Sequence, residues 1–218
     1  MSRSISYLLF VPLLFIGCKG EPLEEMKFGY EYLPLTIGSQ IEYDVDSIVY
    51  DDFSGVRTTY EFVLRERIVE VYDDLNQRKV YRVERAKRAS DTTDFRVYES
   101  YGLLIDGTRL EKLRDNLRTI PLVFPVRDDV VWDGNALNAK ARVNYRYDYV
   151  DRQVAYSGII FDSTLRVLQW VDTTNLIEKR FSEERYAKGL GLVYKEFFEI
   201  ETNFDLDSGL HWIQTIRP

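Results

Sequence analysis

The side chains able to do chemistry are few. The chain has one cysteine, Cys18, and one histidine, His211. That pair builds neither an internal disulfide nor a usual zinc site, so no metal or cofactor is expected. Asp44, Asp46, Asp51 and Asp52 offer neighbouring carboxylates, and glycoside hydrolysis needs two across a cleft of roughly 5–9.5 Å. With 36 acidic residues such clusters arise by chance, and these are expected in solvated turns. Asn203, Asp205 and Asp207 alternate oxygen ligands as a calcium loop does. Their glycine falls at the seventh position rather than the sixth, and no Glu closes the loop. Gly189-Leu190-Gly191 lacks the third glycine and the following helix of a dinucleotide site, and suits a hairpin. His211 has the chemistry of a base or pH-sensitive contact, yet no Ser-x-x-Lys or Gly-x-Ser-x-Gly element accompanies it. Tyr145, Tyr147 and Tyr149 present flat rings with polar tips, candidates for ligand binding, although the same alternation makes the core face of a strand. No catalytic constellation emerges, and a non-enzymatic role is expected.

Cys18 is set apart by what precedes it. Arg3, the apolar run Tyr7–Ile16 and Gly17 have the anatomy of a cleavable export signal over residues 1–17. The run falls short of the roughly 20 residues that span a bilayer. Phe15-Ile16-Gly17-Cys18 resembles the lipobox of bacterial lipoproteins, with Phe15 where Leu is usual. The resemblance implies that the Cys18 thiolate accepts a diacylglycerol and becomes the lipidated first residue of the mature chain. Several acyl chains, palmitate among them, then anchor stably where one alone is marginal. Residues 18–32 are expected as a solvated tether. Glu21, Glu24 and Glu25 fit that role, and in Bacteroidota lipoproteins early acidic residues also signal surface display. The implied address is the cell envelope, at the outer membrane, with either face open.

The remaining residues must build the body that this anchor holds. The net charge is −7, about −8 once Arg3 is removed with the signal, which gives no general attraction to nucleic acid. The densest basic run, Arg82 to Arg88, is expected on a solvated strand face. Sixteen Tyr and twelve Phe suit half-buried pleated surfaces. Apolar residues alternate with polar ones at Ile41/Tyr43/Val45, at Tyr60/Phe62/Leu64 and at Ala141 through Tyr149, the period of strands. A phase change before Val69 and Val71 predicts a bulge near Arg65–Arg67. Further strands are expected at 80–85, 95–105, 164–171, 176–186, 192–201 and 210–216. Only Arg109–Leu117 is open to a short helix, through the spacing of Leu110, Leu113 and Leu117. The expected fold is mainly β: one curved antiparallel sheet or open barrel of about ten strands over residues 33–218. Pro34-Leu35 and Pro125-Val126 each stand before a turn and a large apolar residue, an echo open equally to two related halves and to chance similarity.

Tyr32–Asp51, Val123–Asn135 and Tyr186–Phe197 carry a Pro-Leu-x-x-Gly start, a Phe-Pro…Trp middle and a Gly-x-Gly-Leu-Val hairpin. In these the chain is similar to a group of uncharacterised Bacteroidota lipoproteins. That group brings no established activity, and its pattern is similar to the open half-barrels of lipoprotein carriers. The expected function is a lipid-anchored envelope protein with a binding or scaffolding role, holding a hydrophobic ligand or an envelope protein partner. The alternatives are an assembly lipoprotein docked to an outer-membrane machine and an Asp/Glu-dependent hydrolase.

Overall fold

The computed structural model describes residues 27–204 and 206–218, so Cys18, the export signal and Asp205 lie outside the described residues. Twelve strands follow in chain order: β1 (Gln40–Asp51), β2 (Val56–Asp73), β3 (Lys79–Arg88), β4 (Arg96–Asp106), β5 (Arg109–Arg114), β6 (Leu117–Val123), β7 (Val131–Asp133), β8 (Asn144–Tyr156), β9 (Ile159–Asp172), β10 (Glu178–Ala187), β11 (Gly191–Asn203) and β12 (Leu206–Ile216). They form one antiparallel sheet in the order β6-β5-β4-β3-β2-β1-β12-β11-β10-β9-β8-β7. Two six-stranded meanders are thus joined where β1 pairs with β12. The sheet curls until its outer strands β6 and β7 meet, nearly closing a barrel. Curling hides the edges that a flat sheet of this width would expose.

The alternation read in the sequence sets which residues face inward. Tyr43 and Val45 on β1 are buried beside Leu64 of β2. The bulge falls slightly later than expected: register shifts between Ile68 and Glu70, leaving Val69 as the extra residue. Arg109–Leu117 is not helical. Leu110 and Lys112 lie on one face of β5 with Glu111 on the other, and Asp115-Asn116 turn the chain into β6. Both turn residues have positive φ, 50° and 59°, the pair that a tight two-residue hairpin needs and that Asp and Asn tolerate. Nine residues make a marginal helix alone, whereas pairing β5 between β4 and β6 satisfies its backbone on both sides.

Order begins inside the segment expected to be tether. Tyr30–Tyr32 form a 3-10 turn, and Tyr32 is buried, its hydroxyl donating to Asp151 at 2.7 Å. Phe28 stacks on Tyr30, which packs on Phe124. The Val126 amide donates to the Phe28 carbonyl at 2.9 Å. Gly29 is required here, since a Cβ would lie 2.8 Å from the Val126 side chain and φ is +86°. Odd-numbered strands all run the same way, so the approaches through Pro34 to β1 and through Pro125 to β7 reach the barrel at one end, termed the lower end below.

Candidate functional site

Among the described residues a belt of charged and tyrosine side chains separates spaces within the barrel. At the lower end a cavity of about 280 Å³ is walled by Leu35, Ile41, Ile68, Leu103, Leu190 and Leu192. Leu33, Pro34 and Thr36 also line it, so the segment that docks the N-terminal region to the barrel forms part of its wall. Its inner end is polar, with Glu66, Lys112, Glu184 and the rings of Tyr43, Tyr101 and Tyr186. Lys112 and Glu184 also border a second space of about 440 Å³, which reaches Arg114, Tyr145 and Lys195. Arg114 in turn borders an open bowl of about 950 Å³ at the upper end, with Lys87, Arg96, Tyr98 and Trp212.

The belt is built from residues in phase with the apolar interior. Glu184 lies two before Tyr186 on β10, and Lys112 two after Leu110 on β5. Glu184 accepts from the Lys195 ammonium at 2.7 Å and from the Tyr186 hydroxyl at 2.7 Å. Burial pushes the Glu184 pKa up, but Lys195, then Lys112, and the bonds from Lys195 and Tyr186 outweigh it and hold the carboxyl down at about 2. Glu66 forms an ion pair with Arg85 at 3.0 Å and accepts from the Tyr101 hydroxyl at 3.1 Å. Glu99 takes the other side of the Arg85 guanidinium at 2.8 Å and also meets Arg114. Tyr43 donates to the Leu192 carbonyl at 3.0 Å, crossing the lower cavity's inner end. Burial raises the pKa values of Tyr43, Tyr101 and Tyr186, so all three stay protonated donors.

Lys112 stands differently. It forms no ion pair within 4.0 Å among the described residues, and its ammonium lies 4.0 Å from the centroid of the Tyr101 ring. Burial, with Lys195 nearby, pulls its pKa down to about 8 against the attraction of Glu66 and Glu184.

The tyrosine row is split by the course of β8. Tyr147 is fully buried; its hydroxyl accepts from the Val123 amide at 2.8 Å and donates to the Val123 carbonyl at 2.7 Å. Tyr145 borders the middle space and packs edge-on against Trp132. Tyr149 has a φ of 54° at an irregular stretch of β8 and is 56% exposed. His211 meets Glu196 at 2.8 Å and packs edge-on against Phe198. Asp44 pairs with Arg217, and Asp51 accepts from Phe53 and Ser54 within the β1–β2 turn. The carboxyls that shift clearly (Asp51, Asp74, Asp91, Glu99, Asp151 and Glu184) all move down, the direction opposite to a general acid poised near neutrality. Asp207 accepts from Thr202 at the β11–β12 hairpin. Gly189 and Gly191 have positive φ in the β10–β11 turn at the lower cavity's mouth. The basic run divides: Arg82 pairs outside with Glu70 and Glu84, whereas Arg85 and Lys87 turn toward the interior.

Among the described residues no group of three His, Cys, Asp or Glu side chains is placed to hold a metal ion. The belt was the feature that single-residue reading missed. Its signal is a polar residue occupying the inward phase of a strand, as Glu184 does beside Tyr186.

No protein-family model matches the sequence, and no curated protein matches it. Among solved structures the chain is similar to a Bacteroides fragilis protein whose description proposes export and a YmcC-like fold. The TM-score is 0.36 with 12% identity, covering 88% of this chain and 98% of that one, a likeness that assigns neither family nor function.

Proposed function

We propose that this chain is a lipid-anchored cell-envelope protein whose lower cavity holds a small amphipathic ligand, its apolar body among the leucines and its polar end at the charged belt. The observation that carries this reading is the polarity gradient inside one cavity: leucine and isoleucine walls leading to Lys112 and Glu184. Its volume of about 280 Å³ falls just below the usual range of ligand sites, roughly 300–1,000 Å³, and so suits a small ligand. The place where the first described residues dock supports the same reading. Fully extended, the chain from Cys18 to Lys27 reaches about 30 Å. The first described residues dock at the lower end, so an acylated Cys18 holds the cavity's mouth close to a bilayer.

Native mass spectrometry of the full processed chain, purified from its own membranes, tests the ligand: a bound species of lipid-like mass is expected. Its loss in Leu190→Trp, which fills the mouth, is expected too. A wild-type protein that is empty before and after incubation with lipid extract ends the binding role. Labelling with a clickable fatty acid tests the anchor, and Cys18→Ser is expected to abolish the label and release the protein from membranes.

One observation favours a docking role as a second reading. At the upper end Phe53 is 98% exposed and Phe204 95% exposed on adjacent hairpins, close to the exposed Leu206, Leu176 and Ile177. Exposed apolar rims of this kind mark contact surfaces. Photocrosslinking in cells from position 53 is expected to trap one discrete partner if docking is the role, and a diffuse smear rejects it.

A further inference from the structure

Within the belt, every acid has its partners. Glu184 is matched by Lys195 and Tyr186, Glu66 by Arg85 and Tyr101, and Glu99 by Arg85 and Arg114. The three tyrosine hydroxyls facing the lower cavity are committed as donors, to Leu192, Glu66 and Glu184. Lys112 alone among these groups has no counter-ion within 4.0 Å among the described residues, and the Tyr101 ring is its closest compensation. Lys112 is half-buried, and withdrawing an ammonium even partly from water without a paired charge carries a cost that a cation–π contact offsets only in part. Lys112 borders both the lower cavity and the middle space, so its ammonium meets a volume that a ligand can enter.

We propose that Lys112 recognises the head group of the ligand, and that the lower cavity therefore selects a monoanionic amphiphile, a carboxylate on a medium-length apolar chain. This rests on the lower-cavity reading above and adds the chemical class to it. A cationic head would lie against Lys112 and Lys195 together. A neutral head would leave the ammonium unpaired. Among the described residues the cavity's inner end supplies one free cation, and each tyrosine hydroxyl there is already donating, so a doubly charged phosphate would exceed it. A single carboxylate matches the three donors of one ammonium.

The experiment compares decanoic acid with 1-decanol, which share the chain and differ in the head, by calorimetry on the full processed protein near neutral pH. Wild type is expected to bind the acid at least about tenfold more tightly than the alcohol, the scale of one charge-assisted contact. Lys112→Met is expected to remove that preference by weakening the acid at least about tenfold more than the alcohol. Equal binding of both by wild type overturns the head-group assignment while the cavity reading stands, and needs no variant to be folded. An acid preference that survives in Lys112→Met overturns it as well. Binding of neither compound overturns both.

Discussion

The two places where the six-stranded meanders meet are closed by different means. At β1 and β12 a continuous antiparallel ladder runs from Tyr43 opposite Ile216 to Tyr50 opposite Gly209. At β6 and β7 side chains do the work of a ladder. Tyr147 satisfies both backbone groups of Val123, the Trp132 indole donates to the Ile120 carbonyl at 2.8 Å, and Asn138 donates to the Arg118 carbonyl at 2.7 Å. Among the described residues only the Ile120 amide, bonded to the Gly134 carbonyl at 2.9 Å, adds a backbone link there. The sequence explains the difference: β7 has three residues, and β6 carries Pro121, which cannot donate and belongs on an edge. A ladder spreads its stability over many backbone groups, whereas a side-chain closure concentrates it in a few residues.

The contrast is most exposed by truncating one seam residue. Tyr147→Ala removes a fully buried ring and both bonds to Val123, and is expected to cost about 3–5 kcal/mol in urea unfolding. Hydrogen exchange should accelerate first at β6 amides and only later at β1 and β12. Uniform acceleration across the sheet would show that the seam is not a separate weak point.

Glycines sharpen the same comparison. A Cβ at Gly209 would lie 2.0 Å from the Glu199 backbone oxygen, and its φ is +136°. A Cβ at Gly134 would lie 2.4 Å from the Tyr145 ring, without a positive φ. Backbone in the ladder cannot yield, whereas a ring at the seam can rotate toward the middle space. Gly209→Ala is therefore expected to cost about 2–4 kcal/mol and Gly134→Ala less. Thermal or urea unfolding of the two variants side by side checks the order, and a reversed order contradicts the mechanism.

Tyr147→Phe is gentler. It keeps the ring but leaves the Val123 amide and carbonyl without the hydroxyl that serves both, at an expected cost of about 1–3 kcal/mol. The exchange rate of the Val123 amide should rise in this variant while β1 amides stay unchanged.

How far each region was legible in the sequence follows the same division. Around the ladder, alternation is long and clean: Ile41, Tyr43 and Val45 gave the correct inward face, and the phase change in β2 announced a bulge that lies at Val69. Near the seam the signals conflict. Leu110, Leu113 and Leu117 fit a helical period as well as a strand, and Asp115-Asn116 lack the glycine that most plainly marks a tight hairpin. β7 is too short to show any period. The two cues that remain readable are Pro121 inside a strand and the apolar echo of Pro34 and Pro125. The belt was hidden for another reason. Lys112, Glu184 and Lys195 look like ordinary solvent-facing charges until the inward phase is fixed, and for Lys195 a register irregularity between Arg185 and Tyr186 disturbs that phase. The expected tether ended too late because Tyr32 is aromatic and in contact with Ser163 and Asp151, partners more than a hundred residues away that local pattern cannot reveal.

The belt gives a smaller effect that separates interior electrostatics from either closure. Glu184, held at about 2 when folded, contributes stability that is complete above its unfolded value near 4.3 and is lost as pH falls toward 2. Lys112 acts at the other limb. Its folded pKa of about 8 lies below an unfolded value near 10.4, so between these the unfolded chain binds more protons and stability rises with pH. Neither slope exceeds about 1.4 kcal/mol per pH unit, the limit for one proton. Lys112→Met removes the alkaline rise and, because Lys112 helps hold Glu184 ionised, moves the acid loss to higher pH. At neutral pH the same variant is expected to change stability by no more than about 1 kcal/mol, since Lys112 is half-buried and its ammonium is only partly withdrawn from solvent. Tyr147→Phe should lower the whole stability curve without moving either limb along the pH axis. Urea unfolding across a pH series distinguishes the two variants. An alkaline rise that persists in Lys112→Met assigns the titration to another group and removes the isolated ammonium from the account of the barrel's interior.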